Sequence, residues 1–203
     1  MKRYFLIFLT IVFVFAGCKK ETELQKSVFI NDPENPDLPE YSEWGYNTFG
    51  AYYDRVPFIS NDNEVPAKVI VTNNVMSFAL TGQKGGNTYY YGNDYGSMSI
   101  TFKISGFLPQ DYNQLITLND TILDLKNSAY QVVVSMDTNQ YTATILSGQL
   151  QFKRVQNLLV DTKQVEVILS GYFDFKALIK NSPITVSSGR FDVGIDTDNF
   201  YVY

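Results

Sequence analysis

Between Lys163 and Ala177 the chain changes character at every residue, and this constrains the fold more than any other feature of the sequence. Val165, Val167, Leu169, Gly171, Phe173, Phe175 and Ala177 fall on one side, while Gln164, Glu166, Ser170, Tyr172, Asp174 and Lys176 fall on the other. A period of two is that of a strand with one dry and one wet face, which is antiparallel behaviour. Ile168 is the one residue out of phase. The pattern recurs: Met98, Ile100, Phe102 and Ile104 alternate with Ser97, Ser99, Thr101, Lys103 and Ser105, and Leu146, Leu150 and Phe152 with Ser147, Gln149, Gln151 and Lys153.

Turn chemistry separates these runs. Asn73-Asn74, Asn119-Asp120 and the stretch Asp137 to Gln140 each stand between apolar segments, and all tolerate the backbone angles that tight turns require. No stretch carries a convincing 3.6-residue period, and only Pro109 to Asn113 reads as a short helical turn. The pattern predicts an all-β chain of about ten strands, a single antiparallel β-sandwich or alternatively a small lipocalin-like β-barrel. The barrel alternative would hold an apolar ligand among inward Phe and Val side chains.

Residues 145–153 and 168–176 share I-L-S-G and F-K around differing centres. Two neighbouring strands with inward Gly148 and Gly171 explain this without a repeat architecture, since an inward glycine marks a bend or the close approach of another backbone or ring.

The chain contains no histidine and one cysteine, Cys18. That excludes a Ser-His-Asp triad, a Cys-His pair and every histidine-ligated zinc site. Formal net charge is −5, and the two units lost with Lys2 and Arg3 make the rest more negative still. Such a balance argues against nucleic acid as a partner. Glu43, Glu166 and Asp174 are carboxylates within strand-like segments, but Glu166 and Asp174 lie about 26 Å apart along one strand and cannot form a catalytic pair together. Pairing of carboxylates across strands leaves a carboxylate-dependent glycan hydrolase as one alternative, and a structural or assembly component of the envelope is another; the chain is expected to be a non-catalytic module that needs no cofactor.

Lys2 and Arg3 precede an apolar run from Phe5 to Phe15, followed by Ala16-Gly17. A basic start, a short apolar core and small residues form a secretory signal peptide, and the run falls short of the roughly 20 residues a spanning helix needs. Phe15-Ala16-Gly17-Cys18 resembles the bacterial lipobox, with Phe where Leu is usual. The resemblance implies cleavage before Cys18 and lipidation of its thiol, so that residues 1–17 are a lipoprotein signal peptide and the membrane is a partner through acyl chains. Residues 18–40, acidic and carrying Pro33, Pro36 and Pro39, are expected to form a disordered tether to the all-β domain at 41–203.

The lipobox, the tether and the segments 43–58, 169–175 and 184–193 together resemble small cell-envelope lipoproteins of Bacteroidota that carry β-rich domains. That resemblance implies an antiparallel β domain on the outer membrane. It carries no activity to transfer.

Three features are candidate sites. Residues 81–97 combine five glycines with Tyr89, Tyr90, Tyr91 and Tyr95, and tyrosine-rich loops on rigid β scaffolds bind partners or stack on sugars. With Trp44 these tyrosines form the candidate binding set for a glycan or an envelope protein. Asp192, Asp196 and Asp198 invite a calcium reading, but a calcium loop needs a following glycine and a distal glutamate, so a solvated turn is expected. Asp196 and Asp198 remain weak metal candidates. Arg190 and Asp192, two apart on one face, read as an exposed charge pair.

Overall fold

Several tight turns among the described residues are made by residues at positive φ, and the strands between them are long enough to close on themselves. The computed structural model describes residues 29–61, 65–85, 96–160 and 163–203. In chain order its strands are β1 (Phe29–Ile30), β2 (Tyr41–Ser42), β3 (Thr48–Tyr53), β4 (Val56–Ile59), β5 (Ala67–Thr72), β6 (Val75–Lys84) and β7 (Gly96–Ser105). They continue with β8 (Thr121–Asp124), β9 (Tyr130–Met136), β10 (Asn139–Val160), β11 (Lys163–Ile179), β12 (Ser182–Ile195) and β13 (Phe200–Val202). Asn73-Asn74 joins β5 to β6 with both residues at positive φ, as the sequence predicts. Asp54-Arg55 and Lys180-Asn181 make the same kind of turn between β3 and β4 and between β11 and β12.

The all-β antiparallel class holds, and the barrel is the architecture found. Eight strands close in the order β3-β4-β6-β7-β9-β10-β11-β12 and back to β3, every neighbouring pair antiparallel. β5 extends from β6, β13 lies parallel on β5, and β8 pairs with β10 beyond the end of β9. The helical turn expected near Pro109 is a 3-10 helix, Tyr112–Leu118, capped by the Asp111 carboxylate and buried through Leu115 and Leu118.

The interior is filled by rings. Phe49, Phe58, Phe78, Phe102, Phe152, Phe173, Phe175 and Phe191 are all fully buried. Phe191 packs against Phe78 at 5.3 Å and Phe152 at 5.8 Å, and Phe102 against Phe173 at 5.5 Å, mostly tilted or edge-on as the ring quadrupole favours. The lipocalin-like expectation of an apolar ligand inside is thereby corrected, because the rings occupy that volume. Gly171 explains how they fit. A Cβ there would lie 1.9 Å from the Gln151 carbonyl oxygen and 2.7 Å from the Phe191 ring, so only glycine lets β10 and Phe191 come so close. Gly148 sits at a register shift of β10 with φ +145°, a conformation costly for any other residue.

The segment expected to be a tether through residue 40 is folded from Phe29 onward. β1 pairs with β2, Leu38 is buried, and Pro39 packs so tightly on Gly50 that a Cβ there would lie 2.4 Å from its Cδ. Residues 29–47 thus form a strap on the outer wall of the barrel. The solvated reading missed it because the proline-rich segment has few apolar residues of its own, and its docking depends on polar groups of the barrel wall. Cys18 and the rest of the signal and tether region lie outside the described residues.

Truncating a central ring tests the filled interior. Phe102→Ala should lose about 3–5 kcal/mol of stability by urea denaturation, and Gly171→Ala should fail to give a cooperative transition.

Candidate binding surface

Ile168, the residue out of phase, leads to the best-organised polar cluster on the outer wall. It faces outward yet is only 2 % exposed, because the strap covers it; a Cβ on Gly45 would lie 3.0 Å from its side chain. Ser170 and Asp192 share that covered wall. Asp192 is 1 % exposed and is a focus for five donors. The backbone N–H groups of Trp44, Gly45 and Tyr46 reach it at 3.1, 2.8 and 3.1 Å, Ser170 Oγ donates at 2.9 Å, and Ser42 Oγ donates as well. Three successive N–H groups turned to one carboxylate make an anion nest, here occupied by the protein's own side chain.

The expected exposed pair of Arg190 and Asp192 is therefore corrected: both are buried and neither partners the other. Arg190, 6 % exposed, bonds Asp32 of the strap at 2.8 Å and donates from Nε to the Ser188 carbonyl. The Asn35 amide and the Arg190 guanidinium hold the Asp32 carboxyl below its ordinary range. Tyr41 stacks on Tyr172 at 4.4 Å and donates to Glu43 at 2.9 Å, and Arg154 lies 3.8 Å from Glu43. Burial, then the nearby Glu43 carboxylate, push the Tyr41 hydroxyl far above the usual tyrosine range, so it remains a donor. Glu166 lies over Gly194, where a Cβ would come 2.1 Å from its carboxylate. Burial raises the Glu166 pKa, and the charges of Asp196 and Asp192 raise it further.

Beside the strap the same wall is open. A cleft of about 310 Å³ is lined by Ile122, Asp124, Gly148, Gln149 and Asp174. Asp124, Gln149 and Asp174 are direct partners across β8, β10 and β11, and the adjacent row is Ile122, Gln151 and Tyr172. Among the described residues, Gln149, Gln151 and Asp174 have no side-chain partner, and Ile122 is 59 % exposed.

Trp44 is half-buried in the strap, next to exposed Tyr46, and it serves the fold through its N–H to Asp192. Tyr89, Tyr90, Tyr91 and Tyr95 lie outside the described residues. Asp196 and Asp198 form a turn in which the Asp196 carboxylate accepts the Asp198 N–H at 2.8 Å, while the Asp196 N–H donates to Asn199 at 2.8 Å. Among the described residues no three His, Cys, Asp or Glu side chains are grouped to hold a metal. Asp192, the third member of the calcium reading, is taken up by the donors of the strap. The one hint in the sequence of the covered wall is Ile168, whose apolar side chain breaks the alternation.

Comparisons with protein-family models, with curated proteins and with solved structures gave no match.

Removing the focus should free the strap. Asp192→Ala leaves five donors without their acceptor and should cost about 3 kcal/mol or more, with faster hydrogen exchange at Trp44, Gly45 and Tyr46. Glu166 works in the opposite sense. Its folded pKa is raised, so its contribution to stability is present below the unfolded carboxylate range and is lost as pH rises through the folded value. Glu166→Gln should therefore raise the melting temperature at pH 7, and the gain should vanish below about pH 4.

Proposed function

We propose that this chain is a lipid-anchored envelope protein whose barrel acts as a non-catalytic binding or accessory module for a glycan or a partner protein. The observation that carries the reading is the ring-filled interior: Phe78, Phe102, Phe152, Phe173 and Phe191 are buried against one another, which favours the outer wall as the place where a ligand is met. The absence of histidine from the sequence, and the commitment of Asp192 and Glu43 to the strap, support binding over catalysis.

The polarity of the barrel supports a body in water held by an anchor. Phenylalanines point in, while Ser99, Thr101, Lys103, Gln149, Asp174 and Lys176 point out, the reverse of a barrel that meets lipid with an apolar outer band. Among the described residues no helix is long and apolar enough to cross a membrane. The anchor is then Cys18, and the outer membrane its address, on the strength of the lipobox.

Two measurements test this reading. Cys18→Ser should abolish labelling by radioactive palmitate and leave the precursor uncleaved or the protein released from membranes; palmitate in that variant would sink the anchor. The detergent-solubilised protein should bind saturably to a glycan array or to a single envelope protein and release no reducing sugar from the glycans it retains. Turnover, or failure to bind either class, would overturn the binding assignment.

A further inference from the structure

We propose that the cleft on β8, β10 and β11 is a saccharide subsite that takes an uncharged glycan, an assignment that rests on the external-binding reading above. The register sets out the chemistry. Asp124, Gln149 and Asp174 stand side by side on three neighbouring strands, so the two carboxylates are about 10 Å apart with an amide between them. One row further along the strands, by about 7 Å, come Ile122, Gln151 and Tyr172. The result is a grid of acceptors, amides and apolar groups spread over an area of outer wall.

Each group suits a portion of such a ligand. Carboxylates only accept, and sugar hydroxyls donate to them; the amides of Gln149 and Gln151 both donate and accept. Ile122 offers an aliphatic contact to the C–H face of a ring, and Tyr172 is held in place by its stack on Tyr41. Gly148 lines the cleft at a φ of +145°, and a Cβ there would lie 2.3 Å from the Asp174 carbonyl, so β10 and β11 approach closely beneath Gln149 and Asp174. Gln149, Gln151 and Asp174 have no side-chain partner among the described residues, so a ligand displaces water alone from them.

The lining also selects against other ligands. No lysine or arginine lines the cleft, so a uronate, sulfate or phosphate seated in it would meet two carboxylates before any cation. A single cation, or the lysine of a partner peptide, would sit near one carboxylate and leave the other two strands away.

Full-length protein in detergent, applied to an array of neutral and acidic oligosaccharides, tests the assignment. Neutral glycans should be retained, and Gln149→Ala and Asp174→Ala should each weaken binding about tenfold by isothermal calorimetry, since a hydrogen bond to a charged or buried group is worth about that much. Both side chains are exposed, so melting temperatures should not change. Binding that survives both substitutions would overturn the cleft while leaving external binding intact. Retention of acidic glycans or polylysine alone, or binding abolished by EDTA, would overturn the uncharged-saccharide class. Failure of every glycan to bind, with an envelope protein still captured, would remove the subsite and leave the binding module.

Discussion

The packing of phenylalanine rings inside the closed sheet is the constraint from which the other features follow. A small barrel has no core apart from its interior, so the inward residues must fill it, and here Phe78, Phe102, Phe152, Phe173 and Phe191 do so in mutual contact. Glycine is then required where a ring and a neighbouring strand compete for one position, as at Gly171. With the inside committed to packing, every group capable of recognition is displaced to the outer wall. That wall is divided between a strap that covers one area and a cleft that leaves another open.

The division runs across shared strands. β10, β11 and β12 supply Arg154, Ser170 and Asp192 to the strap, while β10 and β11 supply Gln149 and Asp174 to the cleft. Tyr172 belongs to both, since its ring closes one edge of the open wall and stacks on Tyr41 of the strap. A buried carboxylate is tolerated beneath the strap because its oxygens are met by donors from two separate segments, residues 42–46 and β11. The exposed carboxylates of the cleft need no such provision.

The strand pattern was legible in the sequence because alternation is a local property. Met98 to Ile104 and Val167 to Ala177 are inward as their phase requires, and Asn73-Asn74 turns where its residue types allow. Closure into a barrel was not, because it depends on β6 pairing with β7 on one edge and β4 on the other, and on β12 meeting β3 from far away in the chain. The strap escaped for a related reason: Asp32 and Ser42 look like solvated polar residues until Arg190 and Asp192 are known to lie opposite them. Arg190 and Asp192 themselves read as a pair because sequence shows only their spacing. The cleft could not be read either, since Asp124, Gln149 and Asp174 are brought into one row only by the register of three strands.

The strap also determines how the barrel would respond to a pull along the chain. Tension arriving before Phe29 meets the β1–β2 pair at its open end, where Phe29 faces Ser42, so the two pairings separate in succession instead of sharing the strain. Releasing them, with Leu38 and the Asp32–Arg190 contact, would let out roughly 40 Å of chain before the clamp on Asp192 carried any tension. The hairpin is thus a length of slack in series with a lock, and the barrel beyond it feels a tug only after that slack has run out.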